Sequence, residues 1–434
     1  MSFARLTVLL LFVSLAQSFI ALAQTNVPDP LPPAAQEAME KGLIAAKQQE
    51  YLLAIRLFQD ARKIAPAAPI LFFNLGLAES KIPGRELRAM TWFGAYLAAS
   101  PNAANVAAVK QQINELDVKN QASLSHLIQT AQDAAKQFGD PASFDRNNSL
   151  SKVAELWAKS GDFETATQTA DAMNHFKSLA RLRIATAQAE AGDIAGAQKT
   201  ADSIQDIHEE GLAQADIAKA QAKAGDIASA LKTANEIQDA DGKSWAQGDI
   251  AKAQAKAGDI ASALKTANEI KDADGKSRAL FNIAWEQAIA KDIAGAKKTA
   301  DSIQDIERKG WAQESIVDWQ LEVGDIAGAQ KTVDSIQDAS HKKSAQKTVN
   351  KAQAKTKAGA STEPMFEVYK WISENDWLLN EPFFLNLSSY LKSLPSEDPE
   401  KIFNGLHHAA EKIADARQVI TRMLKQQAQP SSKP

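Results

Sequence analysis

From about residue 35 onward, apolar positions recur at helical spacing and hardly stop. The alternation expected of a half-buried strand is missing, and Ala, Gln, Lys, Glu and Leu are abundant. The pattern predicts an all-α chain. It is most regular between residues 147 and 340, where Asp followed by Ile or Phe returns at Asp162, Asp193, Asp226, Asp259, Asp292 and Asp325, with glycine before all but one. From Asp193 to Asp325 the spacing is constant, a period of about 33 residues; the step from Asp162 to Asp193 is slightly shorter. A fixed period of this size marks a stack of one supersecondary unit, each copy too small to bury its apolar face alone.

One copy shows the construction. Within residues 244–257, Ala246, Ile250, Ala253 and Ala257 lie four, three and four residues apart, which makes one helical face. Gly258 supplies the left-handed residue that ends a helix, and Asp259 follows as N-cap, its carboxylate accepting from the first free amides of the next helix. That helix sets Ile260, Ala263, Leu264, Ala267 and Ile270 on one side, and Asp272, Asp274 and Gly275 are expected to turn the chain into the next pair. Alanine recurs at Ala185, Ala218, Ala251 and Ala284 on first helices and at Ala197, Ala230, Ala263 and Ala296 on second ones. Such small side chains let helix axes approach toward the lower end of the usual ~8–10 Å. The large anchors are Ile184, Ile217, Ile250, Ile283 and Ile316. Each contributes roughly 1.5–3 kcal/mol when fully buried, so a single unit is weak and depends on its neighbours.

Upstream, Gly42, Tyr51, Ala54, Phe58, Ala61 and Pro66 are followed by a second unit with Phe72, Leu75, Gly76, Ala89, Phe93, Tyr96 and Pro101. These spacings resemble the tetratricopeptide repeat (TPR) family, with its glycine, its aromatic between two alanines and its closing proline. The resemblance covers residues 35–103 well. It covers 147–340 more loosely, because the units there are one residue shorter, carry Ile for the aromatic and lack the proline. It implies an α-solenoid of helix-turn-helix repeats with a surface that holds a protein or peptide.

The rest of the chain divides by composition. Arg5, the apolar run Leu6 to Ile20 and Ala21-Leu22-Ala23 read as an export signal over residues 1–23, cleaved before Gln24. The run is short and broken by Ser14, Gln17 and Ser18, which disfavours a permanent membrane span. The expected location is therefore outside the cytoplasm, in a bacterial periplasm or beyond. Residues 24–34 are a Pro-rich lead-in, and 104–146 are expected to hold two connecting helices and a linker. Six 33-residue repeats then occupy 147–340, with an eroded basic repeat at 341–360. Residues 361–426, rich in large apolar groups such as Phe366, Tyr369, Trp371, Trp377, Phe383 and Phe403, are expected to form a C-terminal helical bundle that caps the solenoid. Residues 427–434 read as a disordered tail.

Charge and chemistry narrow the function mainly by exclusion. Forty-nine basic against 53 acidic residues give −4, without the basic excess of a nucleic-acid binder. There is no cysteine, so disulfides, thiolate metal sites and thiol nucleophiles are ruled out. The six aspartates fall one per unit, too far apart to converge on one ion, and are assigned as N-caps. Asp239-Ala240-Asp241-Gly242 and Asp272-Ala273-Asp274-Gly275 echo a calcium loop but lack its closing Glu. Gly242-Lys243-Ser244 and Gly275-Lys276-Ser277 echo a phosphate loop without its first glycine, and both sets are read as turns. His407 and Glu411 share a helical face but have no further ligands in sequence. No catalytic constellation, metal or cofactor is expected. Lys343, Lys347, Lys351 and Lys355 form a cationic stripe, read as a solvated face.

Two features remain open to function. Gln188, Gln221, Gln254, Gln287 and Gln320 occupy one position of five first helices, either as a hydrogen-bonded ladder between repeats or as a solvated face. By the same register Trp245, Arg278 and Trp311 form one row of the groove, and Lys219, Lys252, Trp285 and Asp318 form another. Tryptophan and arginine are enriched at interface hot spots, so these rows are the expected partner contact, unless the indoles pack between helices. The leading expectation is an exported, non-enzymatic interaction scaffold. The alternative is a cell-envelope enzyme or accessory subunit in which the array positions substrate.

Overall fold

A computed structural model describes residues 31–356, 376–394 and 398–428. The export signal, residues 24–30 of the lead-in, residues 357–375 with Phe366, Tyr369 and Trp371, and residues 429–434 lie outside these. The described residues contain helices and no strand. They divide into two units. One comprises the N-terminal helices and the C-terminal segment; the other comprises residues 140–362.

The first unit opens with two hairpins, α1 (Pro33–Lys47) with α2 (Tyr51–Ile64), and α3 (Pro69–Glu79) with α4 (Glu86–Ala99). Their glycines seat the aromatics of the partner helix. A Cβ on Gly42 would fall 2.5 Å from the Phe58 ring, and one on Gly76 would fall 2.7 Å from Phe93. The repeat spacing thus records a contact between two helices. The two connecting helices expected next are a single one, α5 (Val106–Ala135), because nothing between those residues interrupts the ladder: there is neither Gly nor Pro.

The second unit contains six hairpins and one further helix. They are α6 (Phe144–Ser160) with α7 (Phe163–Asp171), α8 (Lys177–Ala191) with α9 (Ile194–Ala201), and α10 (Ile207–Lys223) with α11 (Ile227–Glu236). Next come α12 (Ala240–Lys256) with α13 (Ile260–Glu269), α14 (Ala273–Ile289) with α15 (Ile293–Asp301), α16 (Ile306–Glu322) with α17 (Ile326–Ser335), and finally α18 (Ala339–Thr356). Ile184, Ile217, Ile250, Ile283 and Ile316 are completely buried, as are the alanines facing them. First helices pack directly on the next first helix, whereas each second helix rests on its own partner and on the following first helix. The first helices therefore form the tighter layer. They close most tightly at small residues near their starts: a Cβ on Gly242 would lie 2.6 Å from the Gly211 carbonyl oxygen, and one on Gly275 would strike Ser244 Oγ.

Each Asp of the recurring step caps its second helix. Asp259 Oδ1 accepts from Ser262 N at 3.0 Å, and Asp162, Asp193, Asp226, Asp292 and Asp325 do the same to the residue three positions on. Gly161, Gly192, Gly225, Gly258 and Gly324 hold φ between 81° and 93°, the left-handed region. Before Asp292 the residue is Lys291, forced into the same region at φ 66°. The Asp272-Asp274-Gly275 segment is not a turn between pairs. Asp272 N-caps α14, and Asp274 and Gly275 lie in its first turn; Asp239 does likewise for α12, with Oδ2 accepting from Gly242 N at 2.7 Å. An acidic N-cap followed by a second acid favours the positive helix start, which is why these residues begin a helix.

The C-terminal segment holds α19 (Asp376–Asn380), α20 (Pro382–Leu385), α21 (Leu387–Lys392) and α22 (Pro399–Ala428). Expected from the sequence as a cap on the repeat array, it joins α1–α5 in the first unit, with α22 lying along α5 and against α4. Arg417 Nε reaches Asp117 Oδ1 at 2.7 Å. Deeper in, Glu79 is fully shielded. Its Oε1 accepts from Arg88 Nη2 at 2.7 Å and its Oε2 from Arg85 Nη1 at 3.2 Å. The same guanidiniums donate to the Leu379 carbonyl and, at 2.8 Å, to that of Leu385. A buried carboxylate is thus neutralised by two arginines that also satisfy the ends of α19 and α20.

Candidate partner-binding groove

The face of the second unit formed by first helices carries both expected rows. Trp245 is 48% exposed, Trp311 42% and Trp285 38%, unusually large fractions for indoles on an ordered helix layer. Because first helices pack side by side in the repeat register, positions one period apart are neighbours. The Trp245 row therefore also contains Leu179 and Leu212. Together with Leu182 they line a concavity rimmed by Arg183 and Asp216. Leu179 and Leu212 were missed by sequence reasoning. Extending the tryptophan register backwards by one and two periods finds them.

Charges along the groove differ from end to end. Near α6 and α8, Arg183 Nη1 lies 3.1 Å from Glu155 Oε2, and Thr186 Oγ1 donates to Asp216 Oδ2 at 2.7 Å. Lys219 Nζ sits 3.5 Å from Asp249 Oδ2. Beyond this, Arg278 stacks its guanidinium 5.5 Å from the centre of the Trp245 ring, and Phe281 and Trp285 lie 6.3 Å apart on α14. Trp311 meets the edge of His341 at 6.0 Å, and His341 Nδ1 approaches Glu314 Oε1 at 3.3 Å. Burial pushes the Asp318 carboxyl above its usual range, and the Glu314 charge adds to it.

The glutamine column belongs to neither expected arrangement. Gln188, Gln254, Gln287 and Gln320 are buried, and each amide oxygen accepts from a threonine 12 residues on in its own repeat. The contact is Thr266 Oγ1 to Gln254 Oε1 at 2.9 Å, and Thr233 to Gln221 matches it. The backbone carbonyl of the same glutamine accepts from the capping Asp, as Asp259 N does on Gln254 O at 3.0 Å. Each amide ties first helix to second helix, so the column is a row of internal clamps and not a ladder between repeats.

The remaining candidates have plain surroundings. His408 packs on the rings of Phe383 and Tyr390, and His407 on Phe403. Lys343, Lys347 and Lys351 are exposed along α18, while the side chain of Lys355 lies outside those described. Among the described residues no three His, Asp or Glu side chains are grouped to hold a metal ion, and no helix is long and apolar enough to cross a membrane.

No protein-family model matches the chain, and no curated protein matches it. Solved structures similar to it include the crystal structure of Ton1535 from Thermococcus onnurineus NA1. That match is 13% identical with a TM-score of 0.24, over 72% of this chain and 99% of that one. The structure of Naa15/Naa10 bound to HypK-THB matches at 14% identity and a TM-score of 0.22, over 91% and 75%. A circular tandem repeat protein with novel repeat topology matches at 10% identity and a TM-score of 0.19, over 91% and 98%. The all-α repeat architecture rests on the chain's own helices and their register.

Proposed function

We propose that this chain is an exported, non-enzymatic scaffold that holds a protein or peptide partner along its first-helix groove. The observation that carries the reading is the set of three tryptophans on successive first helices, each more than a third exposed on one face. Indoles supply large, rigid contact area with few rotatable bonds, and exposing three of them on one face without an interface is unfavourable. Apolar Leu179, Leu182 and Leu212 extend the same face. Export rests on the signal pattern of residues 1–23 and places the groove in the periplasm or outside a bacterium.

The groove is tested by pull-down from envelope extracts with the wild-type chain and a Trp245→Ala/Trp311→Ala variant. A defined partner retained by the first and lost by the second is expected. Equal retention by both would remove the tryptophans from the interface. Export is tested by N-terminal sequencing of the chain from the periplasmic fraction, with Gln24 expected as first residue; an intact Met1 in the cytoplasmic fraction would refute it.

A further inference from the structure

We infer that the groove reads acidic peptide segments, seating an Asp or Glu carboxylate between Arg278 and Lys252 beside the exposed indoles. This rests on the groove being a binding surface, and it commits that surface to one partner chemistry.

The argument begins with Gly248, in the interior of α12. Glycine there weakens a helix relative to alanine, so a reason is required. Other glycines on first helices have one: Gly211, Gly242, Gly275 and Gly310 each sit where a Cβ would collide with the neighbouring helix. Gly248 does not. Only Arg278 Nη2 lies within 4 Å of a Cβ built there, at 3.9 Å, and the backbone has no left-handed φ. At the equivalent register positions stand Leu182, Ala215, Phe281 and Glu314. The missing side chain leaves the place across which the Arg278 guanidinium lies, with the Trp245 ring holding it at 5.5 Å.

Arg278 is thus positioned, and it has no anion. Among the described residues neither it nor Lys252 has an ion pair or hydrogen bond, whereas Arg183 and Lys219 in the same groove face Glu155 and Asp249. Lys252 stands one helical turn beyond Gly248, on the same face of α12. A guanidinium held by an aromatic ring keeps its outer N–H edge free for a planar carboxylate, and its conformational cost is met before the ligand arrives. Trp245 stacks on Arg278, and the next first helix carries the Phe281–Trp285 pair at the register positions of Gly248 and Lys252, which suits a large apolar residue next to the acid.

The test is selection from a random peptide library on the immobilised full chain, followed by anisotropy titration of the recovered peptides. Recovered sequences are expected to place Asp or Glu next to a large apolar residue. Replacing that acid by its amide is expected to weaken binding about 10-fold or more, as loss of a charge-assisted contact does. Arg278→Gln/Lys252→Gln is expected to abolish the preference for acid over amide with an unchanged thermal melt. Gly248→Leu, which fills the seat of the guanidinium, is expected to reduce it. Peptides that depend on Trp245 and Trp311 but show no acid preference would overturn this inference and leave the groove intact. Peptides insensitive to the tryptophans would overturn both.

Discussion

Replacing Gln254 and Thr266, singly and together, measures what one internal clamp is worth. Both side chains are nearly inaccessible, at 5% and 4% exposure, and they meet at 2.9 Å between the first and second helices of one repeat. Gln254→Met keeps the volume and removes the acceptor. A neutral hydrogen bond is worth about 0.5–1.5 kcal/mol net, and an orphaned buried hydroxyl adds a desolvation cost of ~1–3 kcal/mol. The second term is expected near its lower limit here, because a helical threonine can fall back on the carbonyl four residues earlier. Thr332 already makes that contact with Gly328 O at 3.1 Å. The single change should therefore cost about 1.5–2 kcal/mol, and Thr266→Val about 1 kcal/mol. The pair Gln254→Met/Thr266→Val should cost less than the sum by roughly 1 kcal/mol, since no unpaired polar atom is left. Urea unfolding followed by circular dichroism on the full chain gives the cycle, with the denaturant slope checked for constancy because repeat arrays can lose cooperativity. A coupling under ~0.3 kcal/mol would place the amide in water and refute the clamp.

Three further outcomes follow from the geometry. Lys291→Gly should stabilise the chain by about 0.5–1 kcal/mol, and Gly258→Ala should destabilise it by a similar amount, because the same left-handed step is relieved in one and strained in the other; thermal melts that move together would contradict this. Arg88→Ala should cost about 3–5 kcal/mol by leaving Glu79 buried and under-compensated, and should make residues 376–428 more sensitive to protease; unchanged cleavage there would show that the pair does not hold the segment. Asp226 and Asp259 are held below the usual carboxylate range by the side chains and then the backbone N–H groups of Ser229 and Ser262. Their contribution is full above the unfolded value of 3.8 and is lost as pH falls through the lower folded values, so Asp226→Asn/Asp259→Asn should flatten the acid limb of the stability profile. An acid limb identical to the wild type would exclude these caps as its source.

The sequence made the repeated unit legible because its causes are local. A left-handed glycine, a capping carboxylate and a buried isoleucine return in unit after unit, and each acts within a few positions of itself. The starts of first helices were harder to read. Asp272-Ala273-Asp274-Gly275 has turn composition, and only the contact between Gly275 and Ser244 shows that the glycine serves helix packing. The glutamine clamp was visible in principle, since Gln and Thr recur together at one fixed offset in five copies, from Gln188 and Thr200 to Gln320 and Thr332. The return of the C-terminal segment to the opening helices had no such signal. It depends on Arg417 meeting Asp117 and on Arg85 and Arg88 meeting carbonyls some 300 residues away, pairings that no period announces. For the groove, the tryptophan rows followed from register alone, but which cations lack partners depends on how side chains of adjacent repeats meet, as Arg183 meets Glu155 and Lys219 meets Asp249.

The split first unit has a consequence for how the polypeptide matures. Its opening helices leave the ribosome long before α19 to α22 exist, so Glu79, Arg85 and Arg88 wait through synthesis of the whole repeat array for the carbonyls that complete their network. The network around Glu79 stays incomplete while the chain is still being made. A nascent molecule stalled in the repeats would hold two arginines without the carbonyls of Leu379 and Leu385, and only the finished product would supply them.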